Sequence, residues 1–250
     1  MGQPKTIIII PLYKEKLTEA EKASLVQCCK ILNKHDFALV CPSGLNIKEY
    51  ADIFAGLGLK FQTQEFDKSF FKSTKTYNLL MLDADFYRRF AAHDFMLVYQ
   101  LDSYIFRDEL DYWCDQGYAF IGAPWNRFDL LRNKLHILKP GVNGGFSLRK
   151  IASFIKVLEA TDSEGTAKKI MRDFIKSGKN EDGFFSWCSV KIDPAFKVAP
   201  LSVAAHFSFE RKPERLFKMT GGKLPFGCHA WARYNPRFWK KFINNKDISF

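Results

Sequence analysis

The sequence predicts an α/β protein with a mixed, mostly parallel sheet flanked by helices, and three observations carry that prediction. Short β-branched runs alternate with helical segments through the first hundred residues, the pattern of strands joined by helical crossovers. The apolar run from Phe95 to Phe106 reads as a buried strand ending on a single carboxylate, Asp102. With 250 residues, 47% hydrophobic content and 25 phenylalanines, the chain can bury one substantial core.

The elements follow in order. Thr6 to Ile10 is β-branched and closed by Pro11, hence a strand. Thr18 and Glu21 form a capping box that opens a helix through about Asn33. Phe37 to Cys41, ended by Pro42-Ser43-Gly44, is a second strand, and this β-α-β start implies a parallel pair. A helix over Ile47 to Ala55 and a third strand over Leu59 to Thr63 come next. Phe86 to Phe90 looks helical, and Asp108 to Cys114 forms a short helix. Tyr118 to Ile121 is a strand and Gly122 to Trp125 a turn. Gly144 and Gly145 stand between an extended segment and a helix over Lys150 to Ala160, where they permit close backbone approach or a tight bend. A helix over Thr166 to Ser177 precedes Asn180-Glu181-Asp182, a helix start.

Composition excludes several classes. The longest apolar run, Ile7 to Leu12, is too short to span a bilayer, and nothing in the sequence reads as a secretory signal. Six cysteines without CxxC spacing read as reduced core residues of a cytoplasmic protein. There is no GxGxxG and no P-loop motif. The net charge of +11 is concentrated late: Arg211 to Lys246 holds ten Lys or Arg against one acid, Glu214, interleaved with aromatic residues. Such an end suits an anionic partner, although a solvated basic face over core aromatics fits the same pattern.

Several features can carry chemistry. Asp102, at a strand end, suits a metal or a ribose, or caps the following turn. Asn143-Gly144-Gly145 can present backbone to a sugar or make a plain turn. Glu181 and Asp182 offer a general base, in a position the helix dipole also favours. His229, in a Gly and aromatic setting, reads as a ligand or as packing. Asp83-Ala84-Asp85 is the one literal DxD, but its position before a helical segment makes it a cap rather than a cation site.

Taken together, a strand-end acid, a glycine-rich turn, an acidic pair and a late histidine follow the order of GT-A type glycosyltransferases, a superfamily the chain resembles. The strings Tyr99-Gln100-Leu101-Asp102-Ser103, Asn143 to Arg149, Asn180-Glu181-Asp182 and Pro225 to Trp231 resemble the DUF5672 family over nearly the whole chain. The resemblance implies a GT-A-like, Rossmann-like fold over residues 1–232, with a basic aromatic helix or tail over 233–250. It implies a donor site of Pro11, Tyr13, Gln100, Asp102, Ser103, Asn143, Gly144 and Gly145. Asp182 would be the general base of an inverting reaction with Glu181 beside it, and Asp102 and His229 would reach a divalent cation, Mn or Mg. Gln100 stands where the first acid of a DxD is usual, and an amide is a poorer ligand for a hard cation.

The function expected is transfer of a sugar from a nucleotide-sugar donor, a UDP-sugar by family analogy, to a glycan or lipid-linked glycan in surface-polysaccharide assembly. The runner-up is a non-catalytic glycan- or anion-binding protein on the same fold. No nucleic-acid motif is visible, so no nucleic-acid partner is expected. Over residues 235–246, Phe238, Trp239, Phe242 and Ile243 would share one helix face opposite Arg237, Lys240 and Lys241. That helix would rest on an anionic inner leaflet or pack on the core.

Overall fold

In the computed structural model, residues 5–125 and 141–243 are described. A six-stranded sheet in the order β3-β2-β1-β4-β7-β6 forms the centre. Its strands are β1 (Thr6–Pro11), β2 (Asp36–Pro42), β3 (Gln62–Phe66), β4 (Phe95–Tyr99), β6 (Phe120–Pro124) and β7 (Val142–Lys150). The β1, β2, β3 and β4 strands are parallel to one another, and β7 runs antiparallel to both β4 and β6. A smaller sheet, β5 (Tyr104–Ile105), β9 (Gly227–Cys228) and β8 (Ser208–Phe209), lies in the order β5-β9-β8.

Most expected elements are found with shifted ends, but the run Phe95 to Phe106 is not one strand: β4 ends at Tyr99, and Asp102 lies in the turn before β5. The Thr18 and Glu21 capping box opens the helix Glu19–Ile31, and Asp83 caps the short helix Ala84–Arg88 by accepting from the Asp85 amide. The third strand begins at Gln62 rather than Leu59. It is an edge strand with mostly exposed side chains, so hydrophobic pattern does not define its register. Gly122 to Pro124, expected as a turn, continues β6, because its backbone pairs with β7.

The glycine pair also lies within a strand rather than in a turn. Along β6 and β7 the register jumps between Gly122 and Pro124, which pair with Ser147 and Val142, so Asn143 to Phe146 bulge away from the ladder. Neither Gly144 nor Gly145 has positive φ. Their requirement is for space, as shown below.

Phe238, Trp239 and Ile243 are buried in a second apolar cluster with Tyr104, Phe209, Leu216 and Trp231. Asn235 caps Pro236–Trp239, a single helical turn, and Trp239 stacks on Phe106 at 5.8 Å. The apolar face of the tail is therefore spent on the body, with Arg237, Lys240 and Lys241 left exposed. The remainder of the expected tail, 244–250, lies outside the described residues. Among those described, no helix is long and apolar enough to cross a membrane.

Candidate active site

β1 has β2 on one side and β4 on the other, so the chain changes direction across the sheet at this pair. Open α/β sheets bind ligands at the carboxyl ends of strands beside such a switch. A cavity of about 460 Å³ opens there, with Pro11 at the end of β1 and Tyr13 after it facing Gln100 and Asp102 after β4. Lys14, Tyr50, Lys72 and Tyr77 complete much of its wall. Tyr13 is 66% exposed, and the Lys14 ammonium lies 5.7 Å from its ring centre. Ser103 does not line this cavity: it is fully buried, and its carbonyl accepts from the Ser24 hydroxyl.

The small sheet gathers the polar end of the site. Asp102 lies just before β5, His229 follows β9 and Glu210 follows β8, so pairing of the three strands brings the side chains together. His229 Nε2 lies 3.2 Å from Asp102 Oδ1 and 3.3 Å from Gln100 Oε1, while Nδ1 lies 3.5 Å from Glu210 Oε1. Burial disfavours charge on His229, but its hydrogen bonds and charge interactions with Asp102 and Glu210 prevail and raise its pKa to about 10. Asp102 is pushed up by burial, yet the hydrogen bond and charge of His229, with Arg233 nearby, hold it below the ordinary carboxylate range. Ala230, next in the chain, has φ of 50°, a left-handed conformation that costs a residue with a Cβ.

β7 joins this end to the acidic pair. A Cβ on Gly145 would lie 2.2 Å from His229 Nε2 and 2.6 Å from Gln100 Oε1. A Cβ on Gly144 would lie 2.6 Å from Glu181 Oε1 and 2.9 Å from Arg149 Nη2. Each glycine thus admits a polar group against the backbone on its own side. Asn143 Oδ1 accepts from the Gly145 amide at 2.7 Å and sets the bend.

Glu181 and Asp182 open the helix Glu181–Trp187, and both are buried. Glu181 Oε1 accepts from Arg149 Nη2 at 2.8 Å. Arg149 also donates to Tyr87 Oη at 2.8 Å, Ser147 Oγ at 3.0 Å and the Gly144 carbonyl at 3.2 Å. Among the described residues, Asp182 has no such ion pair. Burial and the Glu181 charge raise its pKa to about 7, against the opposing pull of the Gly183 and Gly144 amides and Arg149. Neighbouring carboxyl groups with unlike surroundings are a recurring acid-base device.

A family profile described as a protein of unknown function (DUF5672) matches residues 60–229, more than half of the chain. The chain belongs to that family. Comparison with curated proteins gives no match. Solved structures show the fold of this DUF5672 protein to be that of GT-A glycosyltransferases. It is similar to the galactosyltransferase LgtC bound to donor and acceptor sugar analogues, with TM-score 0.55, 9% identity, and 89% of this chain and 86% of that one covered. Core-mannan synthase A from Aspergillus fumigatus, in its Mn/GDP form, gives TM-score 0.52 at 9% identity, covering 78% and 72%. The glycosyltransferase GlyE of Streptococcus pneumoniae gives TM-score 0.55 at 12% identity, covering 98% of this chain and 62% of that one.

Of the residues expected in this DUF5672 protein, Pro11, Tyr13, Gln100 and Asp102 share the cavity, with Gly145 and His229 against Gln100. Glu181 and Asp182 are joined to them through Gly144 and do not line it. Sequence reading missed Arg149, Glu210 and Tyr77. Arg149 had no distinct signal, because in Phe146-Ser147-Leu148-Arg149-Lys150 it reads as the first of two basic residues at a strand end. Glu210 had none, because only pairing of β8 with β9 places it beside His229.

Among the described residues, no group of three or more His, Cys, Asp or Glu side chains is placed to hold a metal ion. Asp102 and Glu210 lie on opposite ring nitrogens of His229 and cannot share one ion. The donors that converge are Asp102 Oδ1, His229 Nε2 and the Gln100 amide oxygen. With His229 holding its proton, only the two oxygens are free to ligate, and a substrate would have to supply the rest of any cation's shell.

Proposed function

We propose that this protein transfers a sugar from a nucleotide-sugar donor, a UDP-sugar, to a glycan or lipid-linked glycan acceptor in surface-polysaccharide assembly. The observation that carries this reading is the cavity at the carboxyl ends of β1 and β4, edged by Asp102 and large enough for a nucleotide, in a GT-A fold.

Glycosyl transfer builds positive charge at the anomeric carbon and negative charge on the departing diphosphate. The site therefore needs a base toward the acceptor and positive charge toward the leaving group. In an inverting reaction Asp182 would accept the acceptor hydroxyl proton. A pKa near 7 is suited to that task. Glu181, tied to Arg149, would stay in place as its neighbour. Arg233, whose charge already reaches Asp102, would be the basic side chain of the C-terminal window that serves the diphosphate.

A divalent cation, Mn or Mg, would be held by Asp102 and His229 with Gln100 as a weaker third donor, and would have to displace the Nε2 proton. When bound, it would neutralise diphosphate charge. Peripheral contact with an anionic inner leaflet would use only the basic side of the tail, Arg237, Lys240 and Lys241, because the aromatic side is buried.

The deciding experiment titrates a panel of nucleotide sugars into the purified protein by calorimetry, with Mn and with EDTA. Tight binding of one UDP-sugar that needs the metal and is lost in Asp102→Ala supports both donor and cation site. Metal-independent binding retains the transferase and moves leaving-group stabilisation to the basic side chains. No binding by any donor replaces the reading with a non-catalytic glycan binder.

A further inference from the structure

Two arginines from separate stretches of the chain converge on one ring. The Arg211 guanidinium carbon lies 5.2 Å from the Tyr234 ring centre and that of Arg233 lies 5.4 Å from it, and both arginines are exposed. Like charges gathered in this way repel, and attraction to the ring offsets only part of that cost. Among the described residues, neither guanidinium has an ion pair.

The backbone beneath this cluster is fixed. Arg211 follows Glu210, which lies against His229, and the amides of Arg233 and Tyr234 both donate to the Ala230 carbonyl, at 3.0 and 2.9 Å. The two stretches are tied where the Asn235 side chain donates to Glu214, the one acid of the basic window. Among the described residues, the non-glycine residues with positive φ are Lys212 at 54°, Ala230 at 50° and Asn235 at 57°, and they bracket the cluster. Asparagine accepts that conformation readily. Lysine and alanine do not, and strain of this kind gathers where a ligand is held.

The cluster stands outside the cavity and beside its rim. None of Arg211, Arg233 and Tyr234 lines the cavity, whose wall has its own cations in Lys14 and Lys72, yet the Arg233 charge acts on Asp102 at the edge. The two guanidinium carbons are no further apart than their distances from the ring centre laid end to end. A diphosphate with a hydrogen bond at each end covers that span. Arginine suits such a group, since its planar fork gives paired hydrogen bonds to phosphoryl oxygens.

We infer that Arg211 and Arg233, ordered on Tyr234, form a clamp at the outer edge of the site that binds a diphosphate group. That group is the one released by a nucleotide donor or one carried by a lipid-linked acceptor, and the experiment separates these sources. The clamp itself stands apart from the nucleotide-sugar reading, and only the choice of source rests on it.

The test titrates inorganic pyrophosphate, UDP and geranyl diphosphate into the full chain by calorimetry, in EDTA so that no metal ion contributes. Arg211→Gln should weaken pyrophosphate binding roughly tenfold or more, and Lys241→Gln, which removes the same charge from the exposed tail, by no more than about twofold. Tyr234→Leu, which changes no charge, should weaken it roughly threefold. Equal effects of Arg211→Gln and Lys241→Gln would overturn the clamp in favour of diffuse attraction. Failure of the wild type to bind millimolar pyrophosphate would overturn it too. A matching loss with UDP and none with geranyl diphosphate assigns the clamp to the donor, and the reverse assigns it to the acceptor. Failure of every nucleotide sugar to bind removes the donor source and leaves the pyrophosphate result to judge the clamp.

Discussion

Arg149 Nη2 stands 2.8 Å from Glu181 Oε1, the guanidinium wholly out of solvent and the carboxylate nearly so. The two residues lie on a sheet strand and at a helix start, and their pairing fixes the acidic end of the site against the glycine segment. It also leaves the adjacent Asp182 buried and, among the described residues, without an ion pair of its own.

Removing one partner of this pair should be costly. Arg149→Met leaves Glu181 charged and buried, and urea unfolding should show a loss of about 3–5 kcal/mol. The double variant Arg149→Met, Glu181→Leu should recover much of that loss, since neither charge then remains to be compensated. Equal stability of the single variant and wild type would count against the pair as the anchor of this end.

Asp182→Asn should lower turnover by roughly 100-fold or more while donor affinity stays near wild type. Steady-state kinetics with parallel calorimetry separates the two. Near-normal turnover would take the base role away from Asp182.

The raised pKa of Asp182 sets opposite pH trends for activity and stability. A base must be ionised, so kcat/KM should rise through about pH 7. Stability behaves the other way, because the folded state holds this proton more tightly than the unfolded chain does. The contribution is fully present below the ordinary carboxyl range and is lost as pH rises through about 7. Melting temperatures across pH 4 to 8 should therefore show a falling component that Asp182→Asn abolishes.

Three glycines should respond differently to alanine. At Gly145 the new Cβ meets the ends of two side chains, His229 and Gln100, which can shift; activity should fall at least roughly tenfold with the fold retained. At Gly144 the Cβ meets Glu181 and Arg149, so both stability and activity should suffer. At Gly122 it would lie 2.2 Å from the Asn143 carbonyl oxygen, a backbone atom, and the cost should appear chiefly as about 1–3 kcal/mol of stability. Chemical denaturation and kinetics on the same preparations give the contrast.

Trp239 should behave as a core residue. Trp239→Ala is expected to cost about 3–5 kcal/mol in a denaturation experiment. Any sedimentation with anionic vesicles should disappear at high salt, because only the basic side of the tail is exposed for contact. Salt-resistant vesicle binding would mean that the aromatic face leaves the body.

The start of the sheet was legible because its signals are local. The Thr18 and Glu21 capping box, the Pro11 and Pro42 strand ends and the apolar run into Asp102 each depend on neighbours a few residues away. The order of Asp102, the glycine pair, Glu181-Asp182 and His229 was likewise readable, since the resemblance lies in contiguous strings. The turn expected at Gly122 to Trp125 failed because glycine and proline there serve a bulged ladder rather than a chain reversal.

By itself, then, the sequence determined the α/β class and the family, and named part of the polar set that the structure gathers around the cavity. Tertiary structure alone decided how they are combined. Glu210 reaches His229 through the pairing of β8 with β9, and Arg149 reaches Glu181 from another element. The tail's aromatic face found the second apolar cluster rather than solvent. The physical reason is the range of the forces: propensity, capping and turn chemistry act over a few residues, whereas burial and charge pairing are settled only when distant strands and helices close on one another.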